Sequence, residues 1–388
     1  MSHESIIFEL AAIVVGSGLL ATLFLFARQP IILAYIAIGV LIGPHGLAPI
    51  DDADNIEQIG HLGVVLLLFL VGLSLQPGKL LGLFSRTALL TLGTSGLFTL
   101  VSYLIVRLLG FPLVDSLIIG TAMMFSSTVV ALKLIPTTTL HHKRTGELMT
   151  SILLLQDILA ILVLLFITGK SGDQLLPAFG LLLFKLIILG LLAFAGVRYL
   201  LIPLLRRFSV IQEYTFLLTL AWCLLVTETA HRLGLSYEMG AFIGGISVAS
   251  SPVALVIAEH LKPLREFFLI LFFFSIGANL AFPIPLWTLF SSLLFGTLLV
   301  FLKAYAFRSA FLMIGESQKL AKELGIRLSQ ASEFSILIGF TALLSGVLTP
   351  EGALFLQLTT LVTFVGSTYW VVLRYPTPVS AGSGLRQD

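Results

Sequence analysis

The stretch TGELMTSILLLQDILAILVLLFITG, residues 145–169, decides how the rest of the chain is read. A membrane-crossing helix takes about 20 apolar residues, and this run is long enough, with one interruption at Gln156-Asp157. Gly146 and Lys170 bracket the run and leave Asp157 near its middle. A carboxylate at that depth costs roughly 2.5–3.5 kcal/mol to insert, so it faces a partner or a water-filled cavity. Two readings follow: a buried Asp tying two helices together, or a carboxylate that binds a cation or a proton.

The surrounding composition supports a membrane setting. Of 388 residues, 57% are hydrophobic and 11% charged, with a mean hydropathy of +1.07. No soluble domain makes a polar enough surface from that balance, so repeated apolar runs mean a polytopic helical membrane protein. The first run starts at about Ile6 without a basic leader or a small-residue cleavage site, and is read as a retained helix. The single cysteine, Cys223, forms no intramolecular disulfide and has no Cys/His cluster around it. Nothing points to nucleic acid or to a resident cofactor. HExxH, GxSxG and paired hydrolase aspartates are all missing, which argues against an enzyme.

Thirteen spans are expected, at about 6–27, 31–48, 57–76, 86–108, 112–135, 146–168, 175–200, 212–232, 236–251, 263–282, 285–313, 320–344 and 351–374. They form one transmembrane domain over 1–374, followed by a short polar tail at 375–388. Sorting the 22 Lys and Arg by side places 17 with the loops after odd-numbered spans and the tail, opposite the acidic stretch DDADNIE at 51–57. The positive-inside rule then puts the amino terminus outside and the carboxyl terminus in the cytoplasm.

An internal repeat is legible. LLLFLVGLSL (66–75) matches LFFFSIGANL (271–280), which equates Gly72 with Gly277, and GVLIG (39–43) matches GAFIG (240–244). The displacements are 205 and 201 residues. Seven spans separate the mates, so they run through the bilayer in opposite directions. Inverted-topology repeats of this kind characterise secondary transporters with a midplane site. The glycines also form GxxxG pairs, read as close helix packing within one chain and not as a dimer seam.

A similar displacement links Ser126-Ser127-Thr128 in the fifth span to Ser329, Gln330, Ser332, Glu333 and Ser335 in the twelfth. Polar clusters at matching depth predict two helices broken near the midplane, where unwound backbone is tolerated if it lines a cavity. Glu333 adds a second carboxyl at membrane depth. Lys303, in the eleventh span, admits two readings: it snorkels to the cytoplasmic face, or its ammonium stands near Asp157 and stabilises the charged carboxylate. Lys185, in the seventh span, has no evident role.

In order along the chain, ILAYIAIGVLIGPHGL, LLLFLVGLSLQP, FSSTVVALKLI, LLLQDILAI, EHLKPLREFFLILFFFSIG and LSQASEFSILIG resemble the membrane domain of Kef-type antiporters. These are glutathione-gated potassium-efflux proteins of the second monovalent cation:proton antiporter family. The resemblance implies a sodium/proton antiporter-like fold with a mobile core of about 86–168 and 285–374. It also implies a scaffold of about 6–76 and 212–282 that dimerises, a linker helix at about 175–200, and crossing of the two broken helices. Asp157 then resembles the family's ion-binding aspartate and Gln156 the residue of the potassium branch, with Lys303 on the helix that carries a basic partner. Ser332 departs from the glycine that many members place before Glu-Phe.

The resulting expectation is exchange of a monovalent cation, potassium in first place, for protons by alternating access. Asp157 is the shared site, with Gln156, Ser126, Ser127, Thr128, Ser332, Glu333 and Lys303 around it. A sodium/proton antiporter of the same fold is the alternative, and a cation channel the more distant one. The expected setting is a bacterial inner membrane, with a homodimer implied and the family's nucleotide-binding domain lying outside this chain.

Overall fold

The computed structural model describes residues 6–29, 31–44, 46, 62–66, 68–70, 72–73, 77–135, 144–168, 175–208, 211–235, 237–249, 251, 254–278, 280 and 283–377. The acidic stretch at 51–57 and the tail beyond 377 lie outside these residues, as do parts of the third expected span. Among the described residues the elements are α-helices, with one π-helical turn at Val197–Leu201 inside the long helical segment that starts at Leu175. Among the described residues six helices are long and apolar enough to cross a bilayer, including Thr87–Leu108, Arg144–Leu164, Leu286–Met313 and Pro350–Val372, and four shorter apolar helices accompany them.

Most expected spans coincide with a helix, and the departures have local causes. The helix expected from 263 runs instead over Ala254–Ala278, with Pro263 inside it. A proline there removes one backbone donor, and Glu259, whose carbonyl loses its partner, is an exposed residue. The helix expected from 86 begins at Pro77, a residue whose fixed φ suits a first helical turn. The fifth and twelfth spans are each divided. Leu113–Ala122 is followed by Thr128–Lys133, and Gln318–Arg327 by Glu333–Leu344.

Two compact units emerge. One comprises Met1–Ser17, Tyr35–Leu81 and Thr168–Asn279, the other Gly18–Ala34, Gly82–Ile167 and Leu280–Asp388. In the first unit, helix backbones touch at glycine. A Cβ on Gly39 would fall 2.1 Å from the Phe274 carbonyl oxygen, and one on Gly245 would fall 2.0 Å from that of Phe69. Likewise Gly277 abuts the Ile36 carbonyl and Gly72 the Phe242 carbonyl. These two contact sets are mates under the repeat, which corrects its register. Gly39 corresponds to Gly245, not to Gly240, because equivalence follows shared packing and not shared letters in an apolar stretch. Gly240 packs instead against Thr227 and Val226. The glycine pairs therefore serve packing within the chain. Lys185 also finds a place here: its Nζ lies beside Gly234, just past the end of the Gln212–Arg232 helix, where a cation meets the negative end of the helix dipole.

In the second unit the repeat is closer still. Residue 113 corresponds to 318 and 122 to 327 at the two ends of the first half-helices, a displacement of 205 residues. The helices before them end at Leu108 and Met313, displaced equally. Phe98, Phe307 and Phe311 pack into the core of this unit, with the Phe98 and Phe307 rings 5.1 Å apart edge to face.

The glycine contacts make a testable claim. Gly245→Ala should lower the thermal stability of the detergent-solubilised protein by about 1–3 kcal/mol, the usual cost of overpacking. Gly96→Ala, whose Cβ would meet nothing within 4 Å, should leave it unchanged or slightly raised. Equal melting temperatures for the two variants would contradict the packing described.

Candidate cation-binding site

Each broken helix stops and restarts for a reason written in its side chains. After Ala122 the chain leaves the helix, and Ser127, with extended backbone, accepts a hydrogen bond from the Val130 N–H to start the next half. Ser332 does the same for Phe334 N–H, and the Ser335 hydroxyl accepts from the Ser332 N–H. Serine side chains that bond their own backbone in this way compete with helix continuation and favour caps. The departure from glycine at Ser332 thus supplies a cap.

A break at membrane depth leaves backbone groups that no water reaches, and each needs a partner. Here the two breaks supply one another. The Ser127 N–H donates to the Ala331 carbonyl at 2.9 Å, Ser126 Oγ to the Leu328 carbonyl at 2.8 Å, and Ser335 Oγ to the Ala122 carbonyl at 2.6 Å. Ala122 at the start of one break meets Ser335 past the end of the other, and Ser126 meets Leu328, so the breaks cross antiparallel. Gln330 Nε2 donates to the Ser127 carbonyl while Gln330 Oε1 accepts from Ser367 Oγ, and the Ala331 N–H donates to Thr363 Oγ1.

Gln156 and Lys303 complete the set. Gln156 Oε1 accepts from the Ser126 N–H at 2.9 Å, and its Nε2 donates to the Met124 carbonyl at 3.2 Å. Its amide therefore stitches the first break. Lys303 Nζ donates to the carbonyls of Met123 (3.4 Å), Phe125 and Gln330 (2.9 Å). Three acceptors match the three hydrogens of an ammonium, and the Phe98 ring centre lies 5.4 Å away. Phe98 is the residue displaced by 205 from Lys303, so the two repeat mates meet at the crossing. The snorkelling reading of Lys303 gives way. It is fully buried, so it does not snorkel, and among the described residues it forms no ion pair with Asp157. The carbonyls freed by both breaks offer it a nearer set of acceptors.

Asp157 lies beside this crossing, buried within the Arg144–Thr168 helix. Thr128 Oγ1 stands 3.2 and 3.3 Å from its two carboxylate oxygens and donates to either. Glu333, also buried, follows two residues after Ala331, whose carbonyl accepts from Ser127 next to Thr128. Thr128 and Glu333 are the first residues of the two restarting half-helices. Asp157, Thr128 and Glu333 thus converge, while Gln156, Ser126, Ser127, Ser332 and Lys303 hold the backbone around them. Two carboxylates buried beside one crossing favour a shared positive charge, either a proton or a cation.

Two buried groups escaped the sequence reading. Asp115 hydrogen-bonds with Thr349, the cap of the Pro350–Val372 helix. Arg327, one of the 17 Lys and Arg that the sequence sorts with the loops after odd-numbered spans and the tail, is buried and donates to the carbonyls of Leu134 and Pro376 and to Glu323. Position near a span end disguised both. The threonines and serines at 359, 360, 363 and 367 gave a readable signal, a buried polar stripe at helical spacing.

An inverted repeat whose two discontinuous helices cross beside a buried carboxylate defines a secondary transporter. Residues 11–374 match the family described as sodium/hydrogen exchanger, transmembrane, and the chain belongs to that family. It is 31% identical to K(+) efflux antiporter 6 of Arabidopsis thaliana over 91% of this chain and 60% of that protein. Identity to the glutathione-regulated potassium-efflux system protein KefC of Salmonella schwarzengrund is 29%, over 88% of this chain and 56% of the other. The iron transporter MagA of Paramagnetospirillum magneticum is 27% identical over 94% of this chain and 83% of its own. The chain therefore spans about three fifths of the two potassium-efflux relatives, and the Kef-type resemblance holds. The sodium proton antiporter MjNhaP1 of Methanocaldococcus jannaschii shares the fold, with a TM-score of 0.65 at 16% identity over 94% of this chain and 95% of that structure.

Removing the Lys303 ammonium leaves three buried carbonyls without their donor. Lys303→Gln should therefore lower thermal stability by about 3 kcal/mol, while Lys185→Gln, at an exposed helix end, should cost less than about 1 kcal/mol. Thermal unfolding in detergent measures both. Equal, small losses would show that Lys303 does not hold the crossing.

Proposed function

We propose that this chain is the membrane machinery of a monovalent cation:proton antiporter working by alternating access, with Asp157 as the shared site. The observation that carries the reading is the convergence of Asp157, Thr128 and Glu333 at the crossing of two broken helices. A cation entering there meets the Asp157 carboxylate and the Thr128 hydroxyl oxygen, hard ligands suited to an alkali ion. A proton on Asp157 supplies the same charge, so the two compete for one place, and that competition couples their opposite movements.

Potassium is the cation we favour, on the strength of the relatives named for potassium efflux. Sodium is the second reading, since MjNhaP1 of the same fold is a sodium proton antiporter. The sorting of Lys and Arg supports an outside amino terminus and a cytoplasmic carboxyl terminus. Gln156 and Lys303 act as positioning residues: they fix the unwound backbone that presents Thr128 and Glu333.

Proteoliposomes with an internal pH dye test this. An outward gradient of potassium should drive proton uptake, with sodium, lithium and ferrous iron as comparison arms. Asp157→Asn keeps the shape but removes the titratable charge, and should reduce coupled flux to that of protein-free vesicles. Thr128→Val loses one ligand hydroxyl and should weaken apparent cation affinity about fivefold. Wild-type exchange by the Asp157→Asn protein would refute the shared-site mechanism.

A further inference from the structure

The Leu286–Met313 and Pro350–Val372 helices pack along each other in the second unit, yet a groove of about 730 Å³ stays open between them. That size falls in the usual range for small-molecule sites, about 300–1,000 Å³. Leu293, Val300, Leu361 and Val365 line its length, and Gly366 leaves room opposite Val300. A Cβ on Gly366 would sit 3.9 Å from a Val300 methyl, an ordinary contact, so the space there is not closed by the helix pair. At the Val372 end the lining changes character. Tyr369, Trp370 and Arg374 stand there, with the Trp370 ring 5.0 Å from that of Phe301. Tyr and Trp at the end of an apolar span mark the level of lipid headgroups.

We propose that this groove binds one acyl chain of an anionic phospholipid, with the lipid phosphate on Arg374. Both helices are membrane-length and apolar, so the open side of the groove faces hydrocarbon. An acyl chain suits an apolar groove between two membrane helices with one cation at its end. Charge settles the headgroup class. Arg374 is exposed, has no carboxylate within 4 Å among the described residues, and no acid lines the groove. The site therefore carries a net positive charge, which favours a lipid of net negative charge over a zwitterion. The groove's wall is the helix that carries Lys303 on another face, so a bound chain braces the helix that holds the crossing. This inference rests on the membrane reading and not on ion exchange, and the two fail separately.

Native mass spectrometry of protein exchanged into a mixture of phosphatidylglycerol and phosphatidylcholine tests it first. The expected result is one retained phosphatidylglycerol per chain, favoured about fivefold over phosphatidylcholine. Arg374→Gln should equalise the two lipids, and Gly366→Leu, which fills the groove without a clash at Cβ, should abolish retention of both. The second measurement uses Trp370 as a reporter in a Trp222→Phe, Trp287→Phe background, which leaves one of the chain's three tryptophans. Phosphatidylglycerol brominated on its acyl chains should quench Trp370 at a lower mole fraction than brominated phosphatidylcholine. Equal retention of the two lipids by the parent protein overturns the proposal. So does retention unchanged by Gly366→Leu. A dimer carrying no lipid overturns it as well and makes the groove an interface between two copies.

Discussion

The structure depends on one constraint: backbone freed inside a bilayer must find partners within the protein. Each unsatisfied peptide group there costs several kcal/mol. Two breaks at membrane depth would be ruinous singly, but crossed they satisfy one another through Ser127 to Ala331, Ser126 to Leu328 and Ser335 to Ala122. Gln156 and Lys303 take up carbonyls that the crossing alone leaves over. Neither break is stable without the other, and this is the physical content of the repeat. The first half-helices keep a displacement of 205 residues.

That scaffold sets up the chemistry. The first residues of the restarting halves, Thr128 and Glu333, are carried to Asp157 by the caps at Ser127 and Ser332. A site built this way takes its oxygens from the first residues of two half-helices and from the middle of a third helix. The ammonium of Lys303 belongs to the frame, bonded to the carbonyls of both breaks.

Much of this was legible in the sequence. Asp157 announced itself because a charge in an apolar run is costly, and the serine clusters marked the breaks because serine caps helices. The all-helical membrane fold and its repeat followed from run lengths and from matched glycines. Other features were not legible, for reasons of the same kind. The partner of Lys303 depends on backbone carbonyls, which every residue has, so side-chain letters do not reveal it. The mate of Gly39 was misread as Gly240 because glycine spacing recurs by chance in small-residue helices, whereas packing singles out Gly245. Pro263 looked like a helix start and proved to be internal. Arg327 sorted with the cations of the loops and tail, and only the fold shows its guanidinium turned onto the Leu134 carbonyl.

The central claim is that the crossing of the two breaks makes the cation site. Anomalous diffraction from crystals soaked in thallium(I), a heavy stand-in for potassium, tests it most directly. The account predicts one peak within ligand distance of the Asp157 carboxylate and Thr128 Oγ1, beside Glu333, that vanishes in Asp157→Asn crystals. A saturating thallium soak that leaves this place empty, or a peak that persists in Asp157→Asn, would contradict it.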